Sequence, residues 1–219
     1  MSRFTRLVIA SGNSGKFREL RSLLADLNVE LVPRSKWNLP SPAETGLTFV
    51  ENAILKARHA AACTGLPALA DDSGLIVDAL NGAPGVRSAR FAGSHATCAD
   101  NIRKLLRLLK GVCTQDRKAS LHCTLAVCRH ANDPNPLLAY GRWEGSILQD
   151  PQGEGGFGYD KVFYVKTHGC SAAQLDPAQK NRLSHRAVAF KQLHAQLSYM
   201  LGSSALTNAF SMDYSCNSL

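Results

Sequence analysis

Leu7-Val8-Ile9-Ala10-Ser11-Gly12-Asn13-Ser14-Gly15-Lys16 passes from a short apolar β-type run into a polar turn with two glycines. The residues that follow return to helical spacing, with Phe17, Leu20, Leu23, Leu24 and Leu27 on one face. The stretch therefore reads as strand, tight turn, helix. Gly12 and Gly15 let the turn bring backbone N–H groups close to an anion. Lys16 adds a full positive charge at the N-terminal end of the helix dipole. Ser11 to Lys16 is a phosphate cradle in outline. It is not a Walker A loop, which needs four residues between its glycines and Ser or Thr after the lysine. Here Asn13-Ser14 separate the glycines and Phe17 follows Lys16. An ordinary glycine-bearing βα turn has the same pattern, so both readings stand at this point.

The chain has 219 residues, enough for one sizeable domain or a two-lobed one. A hydrophobic content of 45% excludes disorder of the whole. The net charge of +8 suits an anionic partner, either a nucleic acid or a polyphosphate. The basic residues are scattered, however, and a solvated basic surface has the same composition. The 7 cysteines are odd in number and form no CxxC pair. Cys123 and Cys128 sit in an apolar segment, where a free cysteine acts as a small hydrophobe. This usage predicts a reduced, intracellular protein. The apolar run after Arg3 and Arg6 is too short for a signal peptide, and nothing reaches the length of a membrane span. The expectation is a cytoplasmic protein without membrane contact.

Residues 29–33 predict a second strand, and Pro33, Pro40, Pro42 and Gly46 make residues 34–47 a loop containing Glu44. Thr48 with Glu51 is a capping box that opens a helix. Phe49, Val50, Ala53, Ile54, Ala57 and Ala60 form its buried face, with Lys56 and Arg58 off that stripe. Pro67-Ala68-Leu69-Ala70 reads as a strand ending in Asp71-Asp72-Ser73-Gly74, before another apolar run, Leu75-Ile76-Val77. Side chains of neighbours on a strand point to opposite faces, so only one of the two acids faces a given site. Carboxylates are the hard oxygen ligands magnesium takes, although an Asx turn also explains acids there.

Residues 81–94 form a loop holding Arg87 and Arg90, and a helix is predicted from about residue 98 to residue 109. Residues 119–129 and 137–148 are β-type stretches separated by Asp133-Pro134-Asn135-Pro136, a long antiparallel hairpin. Gly153-Glu154-Gly155-Gly156-Phe157-Gly158-Tyr159-Asp160 follows. Its aromatics can stack on a nucleobase, at about 1–3 kcal/mol each, or simply fill the core. Asp176-Pro177 starts a helix near Lys180. Ser184-His185-Arg186 precedes a last helix bearing Ala187, Phe190, Leu193, Leu197 and Met200. Residues 1–202 are read as one functional unit, and residues 203–219 as a mobile tail.

The motifs SGNSGK, TGLTFVENAILKA, ADDSGL, GAPGVRSARFAG, GFGYD and SHR occur in this order over roughly residues 5–200. In them the chain closely resembles the bacterial inosine/xanthosine triphosphate pyrophosphatase family. The resemblance implies a two-lobed α/β fold, a curved mixed sheet with surrounding helices and a substrate cleft between lobes. It implies magnesium-dependent hydrolysis of deaminated purine nucleoside triphosphates (ITP, dITP, XTP) to monophosphate and pyrophosphate, clearing them from the nucleotide pool. It also implies a homodimer. Carried across by motif, Ser11, Gly12, Asn13, Ser14, Gly15 and Lys16 hold the phosphates, with Lys56 assisting. Asp72 is the catalytic acid–base residue and a magnesium ligand, and Glu44 is the second ligand. Ser73 touches the substrate. Phe157, Gly158, Tyr159 and Asp160 wall the base pocket, and Lys180, His185 and Arg186 close it. Arg90 is considered for a place near the phosphates and left outside this set.

Lys161 replaces the proline that usually follows GFGYD, which predicts a looser pocket or a charge at its rim. Two alternatives are set against this reading. One is a same-fold pyrophosphatase for modified pyrimidine nucleotides. The other is a basic nucleic-acid-binding module, which leaves Glu44, Asp71 and Asp72 unexplained.

Overall fold

The computed structural model describes residues 5–27, 29–37, 39–40 and 42–201. In chain order its strands are β1 (Arg6–Ile9), β2 (Glu30–Pro33), β3 (Ala68–Val77), β4 (Lys118–Cys128), β5 (Leu137–Ile147), β6 (Phe163–Val165) and β7 (Cys170–Ser171). The helices are α1 (Ser14–Leu23), α2 (Phe49–Thr64), α3 (Cys98–Leu108), α4 (Pro177–Leu183) and α5 (His185–Leu201). The strands form one mixed 7-stranded sheet in the order β2-β1-β3-β4-β5-β6-β7. β1 runs parallel to β2 and β3, and from β3 onward the pairing is antiparallel. The chain is thus the expected α/β fold with a curled mixed sheet and helices around it.

Alternation along the strands divides the core. Leu7, Ile9, Leu69 and Leu125 pack with Leu20 and Leu24 of the α1 segment and with Phe190 and Leu193 of α5. Their neighbours Val8, Ala68, Ala70 and Ala126 pack under the alanine face of α2. The far ends of the long strands carry Leu75, Val77, Leu121, Trp143 and Ile147, which pack with Ile102 and Leu105 of α3. Asp71-Asp72-Ser73-Gly74 lies at the seam between these cores, which is why apolar residues are missing there.

That seam corrects the strand reading. β3 does not end at Ala70: it pairs with β4 from Ala68↔Cys128 to Val77↔Ala119 without a break. A polar tetrad looks like a turn in sequence, yet the ladder with β4 carries the backbone through it. β1, in contrast, pairs with β3 only at Ala68 and Leu69. Beyond Ile9 the β3 edge is left uncovered, and a crevice opens outside the carboxyl end of a parallel strand, the usual place for a ligand in such sheets.

The long hairpin is present in full, with register Lys118↔Ser146 to Val127↔Leu137. The capping box at Thr48 and Glu51 is present, and Asp176 caps α4. α1 begins at Ser14, earlier than the apolar spacing suggested, because the Asn13 side chain caps it; Leu24 already lies at its C-cap. Residues 34–37 form a 3₁₀ turn inside the expected loop. α5 starts at His185, two residues before its apolar stripe begins at Ala187. It crosses β5 at Gly141, where a Cβ would lie 1.8 Å from the His185 carbonyl oxygen and 2.6 Å from the Ala189 nitrogen. No described helix is long and apolar enough to cross a membrane. The tail expected at residues 203–219 lies outside the described residues.

Candidate active site

Two cavities flank the open edge of β3 and share Asn13, Lys16 and Ala89. The larger, about 470 Å³, is lined by Ser11, Gly12, Glu44, Lys56, Asp71 and Arg90, among others. The smaller, about 250 Å³, is lined by Ser73, Phe157, Gly158, Tyr159, Asp160, Lys180, His185 and Arg186. A charged chamber therefore adjoins an aromatic one. The residues expected to hold phosphate and base fall on the two sides accordingly, with exceptions at Ser14, Gly15 and Asp72.

Ser14 and Gly15 line neither cavity. Asn13 Oδ1 accepts the Gly15 and Lys16 amides at 2.8 and 3.1 Å, so two N–H groups expected to face an anion cap the helix instead. Gly15 has a packing role. A Cβ there would meet the Phe157 ring at 2.7 Å, which ties the cradle to the aromatic wall. Gly15→Ala is expected to displace that ring and raise KM for a purine nucleotide by about tenfold, equivalent to about 1.4 kcal/mol. An unchanged KM from initial-rate kinetics would refute the coupling.

The two acids point to opposite faces, as strand alternation requires. Asp71 follows Leu69 onto the α1/α5 side, and both of its oxygens are engaged. Oδ1 accepts from Lys16 Nζ and, at 2.8 Å, from Ser73 Oγ. Oδ2 accepts from Arg186 Nε at 2.7 Å and from the Cys123 thiol at 3.3 Å. Burial works against its charge, but Arg186 and Lys16 hold its carboxyl well below the usual carboxylate range. Asp71 is a locked pivot.

Asp72 follows Ala70 onto the α2 side. Its Oδ1 accepts from Lys56 Nζ at 2.5 Å, while its Oδ2 is buried with no partner among the described residues. Burial pushes this carboxyl above its ordinary value despite the pull of Lys56. Asp72 does not itself line the charged cavity, whereas its partner Lys56 and its neighbour Asp71 do. Lys56 also donates to Glu44 at 3.2 Å, and Arg90 Nη1 pairs with the other Glu44 oxygen. Burial opposes the Glu44 charge, but Lys56 and Arg90 bring its carboxyl below the usual value. Lys56 was placed off the buried stripe of α2, and it points into this chamber, only 13% exposed. Among the described residues no group of three or more metal-ligating side chains occurs. The fit for a divalent ion is the pair Glu44 and Asp72, brought together on one lysine, with an orphaned buried oxygen on Asp72.

On the aromatic side a chain of ion pairs runs away from Asp71. Arg186, fully buried, pairs with Asp71 and Glu19 and donates to Ser73 Oγ at 3.3 Å. Glu19 also accepts from Lys180 Nζ at 2.9 Å, and Lys180 reaches Asp160 at 2.6 Å. Asp160 in turn accepts the Phe157 amide at 2.8 Å. Lys180 Nζ and Arg186 Cζ stand 4.7 and 5.7 Å from the centroid of the Phe157 ring. Tyr159 is an anchor as well as a wall, since its hydroxyl donates to the Ser88 carbonyl at 2.9 Å. Lys161 does not enter the pocket; it pairs with Glu154 at 3.0 Å on the loop surface.

Glu19 is the residue that sequence reasoning missed, and Arg90 is one it named but left outside the expected set. Glu19 is three residues from Lys16 on α1, a spacing that places both on one side of the helix. That was its only signal. Arg90 was seen in its loop, but its partner Glu44 is 46 positions away.

His185 is 6% exposed, and its Nδ1 has no partner among the described residues. Burial, helped by the neighbouring Arg186 cation, holds its pKa well below the usual histidine value, so the ring is neutral. An unfolded chain binds that proton more readily, near pH 6.5. The stability tied to neutral His185 is therefore full above that pH and falls as the medium becomes more acid. His185→Gln is expected to flatten the loss of melting temperature between about pH 7 and pH 5. Parallel profiles for both proteins would show that His185 does not set it.

A family model described as the Ham1 family matches residues 7–196. A dITP/XTP pyrophosphatase of Vibrio parahaemolyticus is 53% identical over 193 residues, 88% of this chain and 96% of that protein. One of Coxiella burnetii is 52% identical over 204 residues, 93% of this chain and 98% of that protein. Among solved structures, a HAM1 protein from Coxiella burnetii superposes with a TM-score of 0.83 at 52% identity, covering 90% of this chain and 100% of that one. The Staphylococcus aureus Ham1 protein does so with a TM-score of 0.77 at 39% identity, covering 89% and 98%.

Proposed function

This chain belongs to the Ham1 family, and from that premise we propose that it hydrolyses ITP, dITP and XTP to the monophosphate and pyrophosphate. The observation that carries this reading is the pair of cavities meeting at Asn13 and Lys16. One has the size and aromatic wall for a purine, and the other has cations and carboxylates for a triphosphate.

Magnesium fits Glu44 and Asp72, which offer it hard carboxylate oxygens. Bound there, it would neutralise phosphate charge in the transition state. The chain's own cations share that work: Lys16, Lys56 and Arg90 line the charged chamber and stabilise the charge that moves to the departing pyrophosphate. Asp72, with a raised pKa and a free oxygen, orients the attacking water and takes its proton. Asp71 cannot do so, because each of its oxygens is already engaged.

The base is read by Arg186 and His185. An arginine only donates. Its Nε and both Nη atoms each hold one internal partner here, which leaves an N–H on each Nη for the 6-keto oxygen. Adenine would place its 6-amino donor against them, and an unpaired buried polar group is a strong ground for rejection. The cellular role that follows is removal of deaminated purines from the nucleotide pool, by a chain that works as a homodimer.

The test is pyrophosphate release from inosine, xanthosine, adenosine, guanosine and pyrimidine triphosphates, with magnesium and with a chelator. The expected result is magnesium-dependent release from the inosine and xanthosine substrates, at least about tenfold more efficient than from the others. A preference for pyrimidine triphosphates would overturn the assignment.

A further inference from the structure

We propose that Cys98 is a thiol-modification site, where a mixed disulfide with a carboxylate-bearing thiol of the glutathione class closes the base-side cavity. The consequence for activity rests on the function proposed above; the modification itself does not.

Cys98 is exposed and lines the base-side cavity, at the first residue of α3. The same cavity contains the His185 ring, more than nine-tenths buried and with Nδ1 unpartnered, which marks the space as one built for a ligand. A third cavity, about 590 Å³, starts on the other side of Ala96, which lines both. His95, Arg103, Lys104 and Arg107 line it against one acid, Asp100. Arg103 pairs with Asp100 at 3.3 Å, and Lys104 Nζ donates to the Phe91 carbonyl at 2.5 Å. An anionic disulfide is therefore drawn to a basic chamber whose neighbour in the chain is a reachable thiol.

The other cysteines among the described residues lack this setting, including the half-buried Cys170, which lines neither cavity. Cys63 and Cys113 are exposed but line neither cavity. Cys123 and Cys128 are buried, and burial pushes both thiols up, away from the reactive thiolate.

In the exchange, the Cys98 thiolate sulfur attacks one sulfur of glutathione disulfide. That S–S bond breaks as the bond from Cys98 to the glutathionyl sulfur forms. The departing glutathione thiolate takes up the proton that Cys98 released. Cys98 is oxidised and the disulfide is reduced, so no other oxidant enters. The attached tripeptide then occupies the cavity that Cys98 and Tyr159 both line.

The full chain is incubated with glutathione disulfide, and the modified position is mapped by peptide mass spectrometry. Expected is one glutathionyl group on Cys98, formed about tenfold more slowly when inosine monophosphate fills the cavity. Inosine triphosphate hydrolysis falls in step and returns with dithiothreitol, whereas Cys98→Ser loses none of its own untreated rate. Arg103→Glu with Arg107→Glu is expected to slow glutathione disulfide by about tenfold while leaving the neutral hydroxyethyl disulfide unaffected, as electrostatic steering predicts. Labelling that favours another cysteine, or that ignores the nucleotide, overturns the proposal. A protein that labels at Cys98 and yet hydrolyses no nucleotide refutes the function instead.

Discussion

Asp72→Asn is expected to lower kcat on inosine triphosphate by roughly 10²–10⁴-fold, the usual span for a general base, while the melting temperature stays within a few degrees. The amide keeps the shape of the side chain and can still meet Lys56, but it can neither take the proton nor offer a cation a negative charge. The loss should appear equally in kcat and kcat/KM, as for a group used only in the transition state. Asp71→Asn provides the contrast. It breaks a buried network held by Arg186 and Lys16, and breaking a buried pair costs about 3–5 kcal/mol. Its main effect is therefore expected in thermal stability. If Asp72→Asn turns over normally and Asp71→Asn is folded but dead, the roles of the two acids are reversed.

Gly141→Ala is expected to damage both fold and site. The added Cβ would overlap the His185 carbonyl and the Ala189 nitrogen, and neither is a side chain that can swing away. Relief requires α5 to lift from β5 at the turn that carries His185 and Arg186. Overpacking of this kind costs about 1–3 kcal/mol and sometimes more. At the upper figure a chain of this size loses about 6–12 °C in melting temperature. The same displacement pulls Arg186 from Asp71 and Glu19, so selectivity between inosine and adenosine triphosphates should narrow as well. An unchanged thermal melt by circular dichroism would show that the helix is not seated there.

Local physics made most elements legible in the sequence. The cap at Thr48, the hairpin at residues 118–147, and α3 each follow from patterns a few residues long. The continuity of β3 did not, because Asp71-Asp72-Ser73-Gly74 is held in a strand by β4, about 50 residues further along. The site was readable as motifs, and its wiring was not. Nothing local pairs Glu19 with Arg186, 167 positions apart. Nor does anything local show that Gly15 is small for the sake of Phe157 rather than for a phosphate.

The early stop of β1 at Ile9 has one further consequence. From Asp71 onward β3 has a bare flank, and a bare flank on a sheet invites strands from other molecules. This one is guarded. Ser88 Oγ accepts the Leu75 amide at 2.9 Å, and Pro84 bridges to Ile76. Between those guards and the end of β1 stand Asp71 and Asp72, buried on opposite faces of the strand. Inward-pointing charge along an edge is a natural defence against intermolecular β-pairing, so these two acids also keep the sheet solitary.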